Sequence, residues 1–110
     1  MCGIAGIVAS RTVDPGTVGA MCDLMVHRGP DDSGLWSSTD GKVVLGHRRL
    51  AIIDPSPAGH QPMTEASGRF VLNFNGEIYN YLELGERLKR EGAAFRSRSD
   101  TEVLLEAFRH

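Results

Sequence analysis

Asp40-Gly41 constrains the fold of this chain more than any other pair of its residues. It lies between two extended-type segments, where Asp-Gly favours the tight turn of an antiparallel hairpin. Residues 34 to 38 and 42 to 53 are therefore expected to pair as neighbouring strands. The second carries His47-Arg48-Arg49 in its middle, and Asp54-Pro55-Ser56-Pro57 ends it. A hairpin inside a chain that also has helical segments favours an α+β unit with antiparallel or mixed sheets over a doubly wound parallel one.

The remaining segments fill in that unit. Gly3-Ile4-Ala5-Gly6-Ile7-Val8 reads as a short buried strand, and its two glycines point to close approach by a neighbouring element. Asp14-Pro15 opens a helix in which Val18, Met21, Cys22 and Met25 share one face, and Gly29-Pro30 stops it. Residues 55 to 68 hold three of the five prolines and read as an ordered loop. Phe70 to Phe74 is a strand closing at Asn75-Gly76. Tyr81, Leu84 and Leu88 form a helical stripe, with Gly92 as its C-terminal cap. Ala94 to Ser97 reads as a short strand. Ser99-Asp100-Thr101-Glu102 matches a capping box ahead of a last helix.

Composition excludes several classes of function. At 110 residues the chain is the size of one domain. Twelve basic against fourteen acidic residues leave no global field to hold nucleic acid or an anionic membrane. No apolar run approaches the ~18 residues of a spanning helix. Ile4 to Ala9 is too short for a signal peptide and lacks a basic leader, so the cytoplasm is the expected compartment. Cys2 and Cys22 are too few for a disulfide framework or a cysteine-rich zinc site, and His27, His47 and His60 lack metal-ligand spacing. No metal is expected. Cys22, on the apolar helix face, is expected in the core. No glycine-rich phosphate loop is present.

Four features could carry chemistry. Cys2 would become the first residue if Met1 were removed. It would then hold a thiol and an α-amine, a group whose ordinary pKa of ~7.7–8.0 lets it take a proton near neutrality. The plainer alternative is a buried cysteine at a strand start. In Arg48-Arg49, strand alternation turns one guanidinium inward, where it could grip a carboxylate; a pair of strand charges guarding against aggregation is the alternative. Asn75-Gly76 is either a simple turn or an oxyanion hole, with the Gly76 N–H and the Asn75 amide as donors. Asp100 either favours a helix N-terminus or holds a substrate ammonium.

Taken together and in order, these features resemble the class II, N-terminal nucleophile, glutamine amidotransferases. The opening Met1-Cys2-Gly3-Ile4-Ala5-Gly6 is similar to the start of that family. His27-Arg28-Gly29-Pro30-Asp31-Asp32-Ser33-Gly34 resembles a motif of its asparagine synthetase branch. So do Gly46 to Asp54, Gln61-Pro62-Met63, Asn73 to Tyr81 and Ser99 to Glu102. The likeness runs from residue 2 to about residue 106. Sister branches differ around Pro30-Asp31 and Glu77-Ile78-Tyr79.

The resemblance implies specific roles. Cys2 would be the nucleophile and its α-amine the base. Asn75 and Gly76 would form the oxyanion hole. Arg49 would hold the glutamine α-carboxylate, with Ile52 and Ile53 lining the same pocket, and Glu77 and Asp100 would take the α-ammonium. The implied fold is a four-layer α/β/β/α sandwich of which these residues are the N-terminal part, the synthetase domain being absent. Exposed sheet edges and self-association, hence a possible homo-oligomer, would follow from such a cut. The implied substrate is L-glutamine, and the implied partner a synthetase domain, in cis or in trans, that receives ammonia. No cofactor is expected in this chain; ATP and Mg would serve only the synthetase. An inactive fragment, an interaction module, or the glutaminase of another amidotransferase branch are the alternatives.

Overall fold

A computed structural model describes residues 2 to 110. Met1, whose expected removal would expose the Cys2 amine, lies outside the described residues. The fold is α+β. Strand β1 (Gly3–Val8) is followed by helix α1 (Pro15–Asp23), β2 (Asp32–Ser37) and β3 (Val43–Arg49). A 3-10 turn at Pro57–Gly59 leads to the short strands β4 (Met63–Thr64) and β5 (Val71–Leu72). Helices α2 (Tyr81–Arg90) and α3 (Asp100–Arg109) complete the chain. No helix among the described residues is long and apolar enough to cross a membrane.

The hairpin forms where Asp40-Gly41 places it. Gly41 has φ +71°, a conformation that glycine adopts without a Cβ penalty. Asp40 Oδ1 accepts from the Ser38 hydroxyl and the Lys42 N–H, and these bonds hold its carboxyl below the ordinary carboxylate range. β3 is the central strand of a three-stranded antiparallel sheet ordered β1-β3-β2. Gly3 pairs with Arg48, and Asp32 pairs with Arg49 on the other side. Helix α1 covers one face through buried Val18 and Cys22, which pack on Val44, Ala5 and Ile7. Burial pushes the Cys22 thiol pKa up, as its place in the core predicts.

Three elements are shorter than the sequence pattern implies. Helix α1 ends at Asp23, and Met25 reaches the same core from the turns beyond it, while Met21 is exposed. Those turns let Gly29 lie flush on the Arg48-Arg49 backbone, where a Cβ would sit 2.6 Å from the Arg49 nitrogen. Strand β3 stops at Arg49 rather than residue 53, because the next N–H groups leave the ladder: Leu50 turns to Cys2 Sγ and Ala51 to the Asp31 carboxylate. The 70–74 strand contracts to Val71–Leu72, since the Phe74 N–H donates to the Gln61 side chain.

The second half is organised by α2 and α3, which meet through Leu88, Ala93 and Val103, with Tyr81, Leu84 and Phe95 alongside. Gly92 (φ +101°) ends α2 in a Schellman arrangement, with Ala93 N–H on Leu88 O and Gly92 N–H on Lys89 O. The Ser99 hydroxyl accepts from Glu102 N–H at 3.2 Å, the first half of a capping box. The Glu102 carboxylate does not reach back to complete it. It accepts from the N–H groups of Arg96 and Ser97 and from the Ser97 hydroxyl. Residues 94 to 97 are therefore a loop wound on a buried carboxylate, not a strand.

Candidate active site

Cys2 stands one residue before β1, at the end where β3 breaks off. Its Sγ accepts the Leu50 N–H at 3.3 Å and lies 3.7 Å from the Leu50 carbonyl oxygen. Its own carbonyl accepts Arg28 Nε–H at 3.0 Å. The sulfur is thus held against the Leu50 backbone and the Cys2 carbonyl by Arg28, and Cys2 lines a cavity of about 340 Å³. Arg49, Ile52 and Ile53 line one wall of that cavity, and Asn75, Gly76, Glu77 and Asp100 line others. Every residue singled out in the sequence for the nucleophile, the oxyanion hole or the substrate's charged end meets in this one space.

The sheet and the helices deliver these groups differently. Arg49 arrives at the end of β3 and is buried, 6 % exposed. Its Nη1 donates to Ser56 O at 2.9 Å, and its Nη2 donates to the carbonyls of Ile53 and Asp54. Both Nη2 hydrogens are so engaged, which leaves Nε–H and one Nη1 hydrogen on different edges of the guanidinium. The charge faces the cavity, but the two-bond fork that the sequence suggests is partly spent on the protein's own loop. Gly59 packs where a Cβ would strike this guanidinium. Asp54 turns the loop at φ +49° and holds it with three bonds of its own. Its Oδ1 accepts from Ser56 N–H and its Oδ2 from Arg98 N–H at 2.7 Å. With the Ser56 hydroxyl as the largest cause, these bonds keep the Asp54 carboxyl below its ordinary range.

Asn75 and Gly76 follow β5 on a segment without ladder partners. Among the described residues, no protein hydrogen bond engages the Asn75 side chain or the Gly76 N–H, so both donors are free for a ligand oxygen. Asp100 is buried at the first turn of α3. Its carboxylate stands in the acidic first turn of α3, as one of its two alternative roles requires, while the capping bond itself comes from Ser99. One Asp100 oxygen accepts the Ile78 N–H at 3.0 Å, which leaves the other for a cation in the cavity.

Sequence reasoning gave no chemical role to the His27 to Gly34 segment. The structure gives it a supporting one. Arg28 holds the Cys2 carbonyl, Gly29 O accepts Arg48 Nε–H at 2.9 Å, and Asp31 holds Ala51 N–H at 2.8 Å. His60 Nδ1 lies 2.6 Å from Asp32 Oδ2 on the exposed side of β2. The signal available in the sequence was the density of Gly, Pro and Asp in one loop, residues that shape backbone rather than pack cores.

His47 is fully buried on β3. Its Nδ1 lies 2.8 Å from Asn73 Oδ1. The Asn73 amide donates to Gly46 O at 2.9 Å, which fixes Oδ1 as the acceptor and Nδ1 as the protonated nitrogen. Nε2 then has no hydrogen-bond partner among the described residues, and burial pushes the imidazole pKa down. This neutral pair joins the central sheet to the strand that leads into Asn75.

Residues 1–110 match the glutamine amidotransferase domain family. A putative asparagine synthetase [glutamine-hydrolyzing] of Mycobacterium tuberculosis is 44% identical over 126 residues, covering 100% of this chain and 19% of the relative. Asparagine synthetase [glutamine-hydrolyzing] 1 of Bacillus subtilis is 42% identical, over 100% of this chain and 18% of its own length. Putative asparagine synthetase [glutamine-hydrolyzing] 2 of Methanocaldococcus jannaschii is 38% identical, over 98% and 24%. The chain spans about a fifth of the length of these curated relatives.

Proposed function

The chain belongs to the glutamine amidotransferase domain family, and from that premise we propose that it hydrolyses L-glutamine with Cys2 as an N-terminal nucleophile. The observation that carries this reading is the shared cavity, which Cys2 lines together with Asn75 and Gly76, cationic Arg49, and acidic Glu77 and Asp100. Once Met1 is lost, the Cys2 α-amine takes the thiol proton. The thiolate attacks the side-chain amide carbon, and the negative charge that develops on the oxygen meets Asn75 and Gly76. One such donor is worth about 2.7–4 kcal/mol in a transition state. The α-ammonium protonates the leaving nitrogen, ammonia departs, and water hydrolyses the remaining γ-glutamyl thioester to glutamate.

Arg49, with Ile52 and Ile53 beside it, reads the α-carboxylate of the substrate, and Glu77 and Asp100 read its α-ammonium. A simple amide lacking those groups would leave buried polar groups unpaired, which favours glutamine. The ammonia feeds an ATP-dependent amidation, such as asparagine formation from aspartate, carried out by a synthetase module in cis or in trans in the cytoplasm. ATP and Mg act in that module. We place the two sheets within a four-layer α/β/β/α sandwich, in which the sheet face carrying exposed Ile4 and Val8 meets further structure.

Cys2→Ala in the full-length protein tests the reading. Glutamate release from glutamine is expected to fall to background, while an ammonia-dependent amidation continues. Persistent hydrolysis would overturn it, as would labelling of Cys22 in place of Cys2 by a glutamine-like electrophile.

A further inference from the structure

The segment carrying Asn75, Gly76 and Glu77 has no strand or helix to hold it, yet oxyanion donors must be fixed before the reaction begins. Both of its ends are tied to the first turn of α3. At the far end, Ile78 N–H donates to Asp100 Oδ2 at 3.0 Å. At the near end, Phe74 N–H donates to Gln61 Oε1 at 2.7 Å, and Gln61 Nε2 donates to Thr101 Oγ1 at 3.2 Å. Gln61 and Thr101 are each 5 % exposed, and both line the cavity. A primary amide carries an acceptor and a donor on one planar group, so Gln61 links two elements that do not otherwise bond there.

We infer that Gln61 and Thr101 are positioning residues for the oxyanion loop, joining Phe74 to the helix start that also carries Asp100. The loop is thereby clamped at both ends to one rigid body. The donors for the reacting oxygen and the carboxylate for the substrate ammonium keep a constant separation. Neither Gln61 nor Thr101 touches the reacting atoms in this scheme. The inference rests on the glutaminase reading above for its catalytic consequence, but the clamp itself is a property of the fold.

The test uses the full-length protein and two readouts. Gln61→Met keeps the side-chain length and removes both polar atoms. It is expected to lower kcat for glutamate release at least tenfold and to leave KM for glutamine within about threefold, because oxyanion donors act in the transition state. Thr101→Val is expected to act in the same direction, and Thr101→Ser, which keeps the hydroxyl, to restore activity. Hydrogen exchange at residues 73–78 is expected to rise in Gln61→Met and Thr101→Val while β1 and β3 stay protected. Unchanged exchange at 73–78, or a loss in KM alone, would overturn the clamp. Should Gln61→Met unfold β1 and β3, the contrast between Val and Ser at 101 decides. If Cys2→Ala retained hydrolysis, the nucleophile reading would fail, and the exchange result would still decide the clamp.

Discussion

The central sheet and the loops around the cavity solve one problem, the pairing of buried backbone groups, in opposite ways. In β1-β3-β2 the N–H and C=O groups pair with each other across two antiparallel registers. In the second half the loops turn their N–H groups onto side-chain carboxylates. Asp54 holds Ser56 and Arg98. Glu65 holds Ser67, Arg69 and Phe70. Glu102 holds Arg96 and Ser97, and Asp100 holds Ile78. A ladder fixes straight chain cheaply, whereas a buried carboxylate fixes a curve but depends on charge and on every bond being made. The cavity lies where the two systems meet, with Cys2 and Arg49 delivered at strand ends, Asp100 by the first turn of α3, and Asn75, Gly76 and Glu77 by a clamped loop.

The largest effect that would separate the two systems is expected from Gly29→Ala. Its Cβ would meet the Arg48-Arg49 backbone, which cannot move without disturbing the central strand. A loss of about 3 kcal/mol or more in chemical denaturation is expected, at the severe end of overpacking. A loss under ~1 kcal/mol would show that the sheet yields more easily than the ladder implies. Glu102→Gln should cost somewhat less, about 2 kcal/mol, because an amide places its NH2 against N–H groups that need an acceptor. That variant should loosen 94–97 while leaving the sheet protected in hydrogen exchange. Equal loosening of both halves would break the comparison.

The smallest effect is a pH slope that belongs to the carboxylate half. The Ser67 hydroxyl, followed by the Ser67, Arg69 and Phe70 N–H groups, holds the Glu65 pKa down to about 2 from its ordinary 4.5. The folded state therefore binds fewer protons than the unfolded chain in that interval. Stability rises with pH there: the contribution of Glu65 is complete above about pH 4.5 and is lost as pH falls toward about 2. Glu65→Gln should flatten the fall in Tm across that window. An unaltered slope would mean that Glu65 does not carry it.

Much of the sheet half was legible in the chain. Asp40-Gly41 located the hairpin, the glycine-rich opening run located β1, and Val18 and Cys22 located the helix face in the core. Periodicity and turn chemistry are local, and these elements follow local rules. The errors fall where an N–H is claimed by a side chain outside its own segment, from 5 or 6 residues away at Ser97 and Arg96 to 48 at Leu50. β3 stops short because Cys2 and Asp31 take the N–H groups of Leu50 and Ala51. Residues 94 to 97 are no strand because Glu102 takes theirs, and 70 to 74 shrink because Gln61 takes that of Phe74. Periodicity along a segment does not carry that information.

For the site, residue identity and order along the chain were enough to pick out the candidate residues that share the cavity. They could not show that Arg49 is already bonded to three loop carbonyls, nor that Asp100 holds Ile78, nor that Gln61 bridges to Thr101. Side-chain chemistry is written in the sequence one residue at a time. For Cys2 with Leu50, Gln61 with Thr101, Asp100 with Ile78 and Asp54 with Arg98 the partners are some 20 to 50 residues apart, and only the packing of sheet, loops and helices brings them within bonding distance.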